Sequence, residues 1–394
     1  MRPQNCWRHE TNDNAAGPTR REETMKVLFL CKRRYMNHDV ITDRYGRLYH
    51  LPSELALLGH DVYGFCLSYQ NAPPISQTHR ERSQKSGLFC WHSLPAGRFG
   101  TKIPSYLLQV SRFIASTQPD VIVGGSDALH AILARFFSRK ANVPYFLDLY
   151  DNFESFAMTG LPGIRWGYHR SLRDAEGLTT VSKALERYMQ SSYPGKPVTA
   201  IESTISPEIF RPYPKIESRA FFNFPNNAIL IGTAGSLSES RDTRTLYEAF
   251  KNVHTIMPNA ILALAGPLHG NPPPEHAAIR YLGELPHLQI PKFFSSLDLA
   301  IICMRDDDFG RYAFPQKAYE MLACGTTVIA AKVGALQELF EKREEVLYQP
   351  GNIDDLTTRI LNQLRLKSTT HLPVPSWHDQ AKKLESFLLK NQEK

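Results

Sequence analysis

The stretch FPQKAYEMLACGTTVIAA, residues 314–331, places a short polar helix between an acidic loop and a strand of buried composition. Proline suits the first position of a helix because its φ is already helical and the N–H it lacks would have no partner there. We therefore expect a helix to begin at Pro315. Gly325 ends that helix, and the apolar, β-branched TTVIAA follows as an interior strand of a parallel sheet.

Lys317 and Glu320 are three residues apart, so they share one face of this helix within its first two turns. The unpaired N–H groups of a helix start favour an anion such as phosphate, and Lys317 adds a full positive charge. The Glu320 carboxylate can accept hydrogen bonds from two hydroxyls, as a ribose would offer. The pattern indicates a site for a phosphorylated ligand, and an ordinary solvated Lys/Glu pair is the alternative.

Length and composition favour a globular protein of two domains. The chain has 394 residues, of which 42% are hydrophobic and 22% charged. No apolar run approaches the roughly 18 to 20 residues that span a bilayer. Residues 1–24 lack the apolar core of a signal peptide, so we expect them to form a disordered leader. The six cysteines include no CxxC pair, which favours reduced thiols in a cytoplasmic protein.

Apolar strands alternate with helical segments from Met25 onward, which predicts an α/β fold with parallel sheets. A proline-rich stretch, STISPEIFRPYPKIESR, interrupts this alternation, which then starts afresh at AILIGTAG. We therefore predict two Rossmann-like parallel-sheet modules that face a cleft. The predicted segments are the leader at 1–24, a first module at 25–204, a linker at 205–215, a second module at 216–372 and a docking helix at 373–394.

Two further local predictions follow from composition. Residues 70–105 are rich in Pro, Ser and Arg, which indicates a mobile loop with one strand, LFCWHSL. The last helix begins with a capping-box pattern, and it presents Trp377, Ala381, Leu384 and Leu388 on one face.

The positive charge is concentrated in the first half of the chain. Residues 1–200 hold 25 Lys and Arg against 17 Asp and Glu, a net charge of +8, and the rest of the chain has a net charge of −1. Such a charge can attract an anionic partner, but the basic residues are spread out, so a merely solubilising surface is the alternative. We expect no nucleic-acid partner. Several of the basic residues follow the first strand and suggest peripheral contact with an anionic membrane surface, ordinary solvated surface being the alternative: Lys32, Arg33, Arg34, Arg44 and Arg47.

The order of segments over residues 25–394 resembles a family 4 type glycosyltransferase of the GT-B fold, that is, glycosyl transferases group 1. ILIGTAGSLSESRDTRTLYEAF resembles the family's loop with a phosphate-binding basic residue, and IRYLGELPHLQIPKFFSSLDLAIICM its base-recognition region. FPQKAYEMLACGTTVIAAKVGALQEL matches a variant of the family's E-x7-E motif, with Glu320 as the later acid and Tyr312 in place of the first. In the first module, Gly46 and Arg47 stand where members carry a Gly-Gly loop. DLYDNFESF resembles the subset that has an aspartate in place of a histidine.

The resemblance implies a role for each matched position. The second module would bind a nucleotide-diphosphate sugar, with the diphosphate on Lys317 and Arg241 and the ribose on Glu320; Arg244 is the alternative to Arg241. Pro315, Gly283 and Ser236 would also contact the donor. Asp148, together with Arg241 and Lys317, would take part in catalysis. Gly46, Arg47 and Asp151 would lie on the acceptor side.

The resemblance therefore implies a hexosyltransferase that uses a nucleotide sugar as co-substrate, with retention of configuration and without metal or other cofactor. Its acceptor would be a glycan, a lipid-linked molecule at the inner face of the membrane, or a small molecule. Two alternatives are a sugar-nucleotide epimerase and a non-catalytic relative that binds sugar nucleotides. DLYDNFE offers three carboxylates and is an alternative metal site, whereas we expect the DDD run at 306–308 to be a solvated loop.

Overall fold

The structure is a computed structural model that describes residues 24–35, 38–80, 86–366 and 372–392. The chain divides into two compact units, one made of Met1–Ser203 with Trp377–Lys394 and the other of Thr204–Ser376. Each unit encloses its own hydrophobic core, as domains of this size can. The predicted leader at 1–24 lies outside the described residues except for Thr24.

The elements of the first unit alternate between strand and helix as the sequence predicts. Its strands are β1 (Lys26–Lys32), β2 (Arg34–Tyr35), β3 (His38–Asp39), β4 (Asp61–Ser68), β5 (Ile75–Arg80), β6 (Phe89–Pro95), β7 (Val121–Gly125), β8 (Tyr145–Leu149), β9 (Gly177–Thr180) and β10 (Val198–Ala200). The helices between them are α1 (Arg47–Leu57), α2 (Ile103–Thr117), α3 (Ala128–Ala141), α4 (Pro162–Asp174) and α5 (Lys183–Ser192).

In the described part of the first unit, eight strands form one sheet in the order β10-β9-β8-β7-β1-β4-β6-β5. All neighbours pair in parallel except β5, which is antiparallel to β6 at the edge. β1 is central, with Val27 aligned with Val62 of β4 and with Val121 of β7. Its apolar run VLFLC is buried throughout, because helices cover both faces of a parallel sheet.

The second unit repeats the same architecture. Its strands are β11 (Ile229–Ala234), β12 (Leu237–Ser238), β13 (Ala260–Ala265), β14 (Leu268–His269), β15 (Ile279–Tyr281), β16 (Leu299–Ile302), β17 (Val328–Ala331) and β18 (Leu347–Tyr348). Its helices are α6 (Lys215–Phe221), α7 (Thr243–Ile256), α8 (Ile290–Ser296), α9 (Asp308–Tyr312), α10 (Lys317–Ala323), α11 (Gly334–Leu339) and α12 (Ile353–Leu366). Within the described residues its main sheet is entirely parallel, in the order β15-β13-β11-β16-β17-β18.

The last helix, α13 (Trp377–Gln392), belongs to the first unit. The four residues predicted to share its apolar face are all buried in that unit's core: Trp377, Ala381, Leu384 and Leu388. Residues 205–215, predicted as a linker, lie in the second unit, and Ile205 and Phe210 are buried in its core.

Two local expectations were wrong, and one helix was not predicted. Residues 70–105 contain two strands rather than one, because ISQTHR forms the edge strand β5, whose polar composition suits an edge. Helix α2 was not predicted, although Tyr106, Val110 and Phe113 have helical spacing and are buried. Helix α10 begins at Lys317 rather than at Pro315 and is only seven residues long.

No helix among residues 24–35, 38–80, 86–366 and 372–392 is long and apolar enough to cross a membrane.

Replacing Leu388 on α13 by alanine should destabilise the first unit, although this residue follows the whole second unit in sequence. Its side chain is fully buried in the first core, so the substitution leaves a cavity and costs about 2 to 5 kcal/mol. Thermal and denaturant unfolding measure the loss. Leu366→Ala on α12, where the side chain is 68% exposed, is the matched control and should change stability by less than about 0.5 kcal/mol. Equal effects of the two substitutions would contradict the packing of α13.

Candidate functional site

The carboxyl end of β11 opens into a glycine loop that is locked to the loop after β13. Gly235 and Gly266 both have positive φ, at 116° and 123°, where glycine is favoured. A Cβ on Gly266 would lie 2.1 Å from the carbonyl oxygen of Gly235, so only glycine fits there. Gly266 also donates its N–H to the carbonyl of Gly283 (2.8 Å), the residue predicted for base recognition. The loops that follow three neighbouring strands therefore form one backbone surface.

Gly266 was not singled out from the sequence. The signal was present, because AILALAG on β13 repeats the form of AILIGTAG on β11, with a glycine directly after an apolar strand. Ser236, which was predicted for the donor, follows Gly235, and its hydroxyl lies 2.8 Å from His269 Nδ1 at an exposed position.

Lys317 extends from the start of α10 toward this glycine surface. A Cβ built on Gly235 would lie 3.9 Å from Lys317 Nζ, so the ammonium group stands directly over the loop. Among the described residues, no hydrogen-bond or ion-pair partner of this ammonium exists. Surrounding protein atoms and the positive charge of Arg241 lower the pKa of Lys317 to about 8, although part of its surface is still exposed.

Arg241 is the second cation of this region. It ends the 3-10 turn Glu239–Arg241, where its guanidinium carbon lies 4.6 Å from the centre of the Phe309 ring. Its Nη1 lies 3.4 Å from Met304 Sδ. Arg244, the alternative basic residue, is exposed on α7. The structure thus brings Arg241, rather than Arg244, near enough to Lys317 to act on its pKa.

Glu320 follows Lys317 on the same face of α10, as the spacing predicts. Burial raises its pKa to about 7, against the opposing charge of Lys317 and a hydrogen bond from Gln316. Gln316 Nε2 lies 3.4 Å from Glu320 Oε1, a long contact. The Glu320 carboxylate therefore has acceptor capacity left for a ligand.

Pro315 lies before α10 and is buried, and its carbonyl accepts the N–H of Ala318 at 2.9 Å. We predicted that the N-terminus of this helix would favour a phosphate, but a helix of only seven residues has a weak dipole. The positive charge near Pro315 therefore comes mainly from side chains. Tyr312, which replaces the first acid of the motif, ends α9. In the acidic run before it, Asp307 caps α9 and Asp308 is the exposed first residue of that helix, so the run is solvated as predicted but begins a helix rather than forming a loop.

In the first unit, Asp148 at the end of β8 is held in a buried ion pair. Arg47 donates from Nε to Asp148 Oδ2 (2.8 Å) and from Nη2 to Asp148 Oδ1 (2.6 Å). The Thr179 hydroxyl also donates to Oδ1, and Arg47 Nη1 donates to the carbonyl of Ile201. Both oxygens of Asp148 are occupied, so this carboxylate ties α1 to the ends of β8 and β9.

The other positions predicted for the acceptor side lie at the same edge of the sheet. Gly46 precedes α1 with φ at 70°, and a Cβ there would lie 2.6 Å from the Tyr35 ring. Asp151 is partly exposed and accepts the N–H of Asn152 at 2.8 Å.

The prediction that basic residues near β1 meet an anionic surface is wrong for two of them. Arg47 is completely buried against Asp148. Arg33 is 5% exposed, and it donates to Asp39 Oδ2 (2.7 Å) and to the carbonyl of Pro73 (2.6 Å). Their charges are neutralised inside the unit and cannot reach a membrane.

A polar cluster that the sequence did not indicate lies at the ends of β1 and β7. Lys32 donates from Nζ to the Tyr150 hydroxyl (2.7 Å) and from its backbone N–H to Ser126 Oγ (2.9 Å). Asp127 caps α3 and lies 2.7 Å from His130 Nδ1. Burial lowers the pKa of Lys32, while Asp127 opposes that shift. These groups come together only through the topology of the sheet, since nearly a hundred residues separate Lys32 from Ser126.

Among the residues that the structure describes, no group of three His, Cys, Asp or Glu side chains is arranged to hold a metal ion. Asp148 in the alternative metal motif is already paired with Arg47.

Both halves of the chain match known family models. Residues 47–201 match the glycosyl transferase 4-like domain, and residues 228–365 match glycosyl transferases group 1. A D-inositol 3-phosphate glycosyltransferase from Stackebrandtia nassauensis is 23% identical over 189 residues, which is 43% of this chain. The match spans 42% of that relative, less than half of its length.

Solved structures share the fold over nearly the whole chain. Sucrose-phosphate synthase from Thermosynechococcus elongatus has a TM-score of 0.65 at 15% identity, covering 93% of this chain and 95% of its own. HepE from Anabaena in complex with UDP-glucose has a TM-score of 0.63 at 16% identity, with 94% and 98% covered. The catalytic domain of starch synthase IV from Arabidopsis thaliana, bound to ADP and acarbose, has a TM-score of 0.66 at 12% identity, with 94% and 100% covered. The two parallel-sheet modules are those of the GT-B fold.

Breaking the Arg47–Asp148 pair should destabilise the first unit. Arg47→Met leaves the Asp148 carboxylate buried without its cation, and removing one partner of a buried pair costs about 3 to 5 kcal/mol. The double variant Arg47→Met/Asp148→Leu removes both charges and should regain most of that loss. Denaturant unfolding of the two single variants and the double variant measures the coupling. Additive losses would show that the two charges do not stabilise one another.

Removing the Lys317 charge should stabilise the ligand-free protein. Folding lowers the pKa of Lys317 from 10.5 to about 8, so the folded state carries an energetic penalty below about pH 8. The penalty decreases as the pH rises from about 8 toward 10.5. Lys317→Met should therefore raise the melting temperature at pH 7, and the gain should shrink above pH 8.

The matched control is Lys251→Met on α7, where the ammonium is exposed and pairs with Glu248. It should show no such gain. A lower melting temperature for Lys317→Met at pH 7, or a gain that is the same at every pH, would contradict the lowered pKa.

Proposed function

We propose that this chain, which belongs to the group 1 glycosyltransferases, transfers a sugar from a nucleotide-diphosphate sugar to an acceptor hydroxyl. The observation that carries this proposal is the pair of neighbouring cations at the glycine surface of the second unit. Lys317 has no partner among the described residues, and Arg241 lowers its pKa further. Two cations held close together disfavour each other's charged form, and an anionic ligand placed beside them relieves that repulsion.

The diphosphate of the nucleotide sugar would lie between Lys317 and Arg241. It carries negative charge, which both cations attract, and backbone groups of the loop at Gly235 would approach it without side-chain obstruction. Each charged hydrogen bond contributes on the order of 1.5 to 3 kcal/mol. HepE and starch synthase IV, which share the fold, were solved with UDP-glucose and with ADP, and this supports a nucleotide as a ligand of this chain.

Glu320 would bind the ribose. Its carboxylate has one long contact to Gln316 and can accept from two vicinal hydroxyls. The loop at Gly283 is joined to the Gly266 backbone and would read the base, and Ser236 would contact the donor from the loop after β11.

Catalysis would rest on stabilising the leaving group. When the bond between the sugar and the diphosphate breaks, negative charge develops on the phosphate oxygen, where the two fixed cations act without a metal ion. Retention of configuration is part of this proposal and is supported only by the family resemblance. Asp148 would hold α1 in place rather than take a proton, since Arg47 and Thr179 already occupy its oxygens.

The acceptor would approach the carboxyl edge of the first sheet. Gly46 fixes the turn before α1, and Asp151 offers a partly exposed carboxylate that can orient a hydroxyl. A glycan, a lipid-linked sugar or a small polyol would present such a hydroxyl.

Substitutions at the donor site should weaken nucleotide binding without loss of fold. Lys317→Met and Glu320→Gln should each raise the Kd at least tenfold, or about 1.4 kcal/mol. Titration calorimetry with UDP, ADP, GDP and dTDP identifies the base and then measures the variants with the tightest ligand. Lys251→Met is again the control and should bind as wild type.

Transfer is tested separately, with the labelled nucleotide sugar and EDTA present. Labelled glycoside product supports the reaction, isomerised nucleotide sugar would show an epimerase, and binding without product would show a non-catalytic relative. Unchanged affinity in both donor-site variants would refute the site itself.

A further inference from the structure

Two exposed aromatic side chains project from the carboxyl edge of the first unit's sheet. Phe99 lies in the turn Arg98–Gly100 after β6 and is 93% exposed. Trp166 lies in the second turn of α4, the helix that follows β8, and is 67% exposed. β6 and β8 run in the same direction, so the chain leaves both at one edge. Four strand spacings of about 4.8 Å place the ends of β6 and β8 about 19 Å apart.

The segment that leads to Trp166 is apolar and exposed along most of its length. It reads AMTGLPGIRW, and Met158 and Leu161 are exposed large hydrophobic residues like Trp166 itself. We name residues 157–166 the tryptophan segment and residues 97–102 the phenylalanine turn. A folded protein that leaves several neighbouring apolar side chains in water exposes an interaction surface.

The phenylalanine turn holds its aromatic residue outward at a conformational cost. Phe99 has a φ of 52°, in the left-handed region that non-glycine residues rarely adopt. Gly97 and Gly100 on either side also have positive φ. The strained backbone keeps the ring in solvent rather than against the unit, which is a feature of binding sites.

The charge around both projections is positive. Arg165 and Arg173 are exposed on α4, whereas Arg170 pairs with Asp174, and residues 96–102 contain Arg98 and Lys102 but no Asp or Glu. The Arg98 guanidinium carbon lies 5.2 Å from the Phe99 ring centre, so charge and ring project together. Aromatic side chains beside basic ones match the interface of a bilayer, where the rings lie at headgroup level and the cations meet lipid phosphate.

We propose that the phenylalanine turn and the tryptophan segment insert together into the headgroup region of an anionic membrane. A protein partner fits less well, because a stable protein interface buries about 800 Å² on each side with 20 to 30 residues, whereas these are two short projections. The surface differs from the Arg33 and Arg47 region, whose charges are internally paired. Vesicle binding does not require nucleotide-sugar turnover, so it stands or falls independently of the transferase activity.

The experiment is co-sedimentation of the full chain with vesicles of phosphatidylcholine alone or with 30% phosphatidylglycerol, at about 0.1 M salt. The wild type should bind the anionic vesicles and lose binding at high salt. Phe99→Ser and Trp166→Ser should each reduce the partition coefficient about tenfold, and Arg98→Glu/Arg165→Glu should abolish the preference for anionic lipid. Leu288→Ser is the matched control, because this side chain is 70% exposed in the second unit and should not affect binding.

Tryptophan fluorescence locates the contact. Of the described tryptophans, Trp91 and Trp377 are buried and Trp166 is exposed, and Trp7 lies outside the described residues. In a Trp7→Phe protein, a change in fluorescence on membrane binding therefore reports on Trp166. Its emission should shift to the blue with anionic vesicles and be quenched by brominated lipid. Circular dichroism and melting of each variant establish that the fold is retained.

Equal sedimentation of Trp166→Ser, Phe99→Ser and wild type would overturn the assignment, as would the absence of any preference for anionic vesicles. Concentration-dependent self-association of the wild type in analytical ultracentrifugation, lost in both variants without vesicle binding, would instead assign the surface to a second copy of the chain.

Discussion

Parallel pairing is the constraint on which the rest of this protein depends. In a parallel sheet every strand delivers its following loop to the same edge, so residues that are distant in sequence meet there. In the second unit this brings the loops of Gly235, Gly266 and Gly283 into backbone contact. In the first unit it brings Arg47 to Asp148 across 101 residues. Strand order decides which loops and side chains come together at the carboxyl edge of each sheet, whereas the local sequence decides only which side chains those loops carry.

The two edges treat charge in opposite ways. At the first, each nitrogen of the Arg47 guanidinium donates a hydrogen bond, two of the three to Asp148, so the charges are neutralised and the arrangement supports the fold. At the second, Lys317 and Arg241 stand together with Glu320 as the nearby acid, and the pKa values of both Lys317 and Glu320 move toward neutrality. The charges of a structural ion pair are already neutralised by each other, whereas charged groups with shifted pKa values can still interact with a ligand. We therefore place the chemistry of the proposed transferase at the second edge.

Much of this was predictable from local pattern, because apolar β-branched runs and helical spacing are local properties. β17 and the shared face of Lys317 and Glu320 were found in this way. The burial of Arg47 was not, since a basic residue after a glycine is typical of a surface and its partner lies far along the chain. Helix α2 was detectable from the spacing of Tyr106, Val110 and Phe113, but the Pro- and Ser-rich stretch before it concealed its start. The edge strand β5 has no apolar alternation, so only its pairing with β6 identifies it.

The central claim is that the Lys317 ammonium is destabilised in the free protein and stabilised by a diphosphate. The most direct measurement is its pKa, obtained by NMR of protein with labelled lysine and assigned through Lys317→Arg. We predict a pKa of about 8 in the free protein and a rise toward the ordinary 10.5 when a nucleoside diphosphate is bound. An ordinary pKa in the free protein, unchanged by saturating nucleotide, would contradict it.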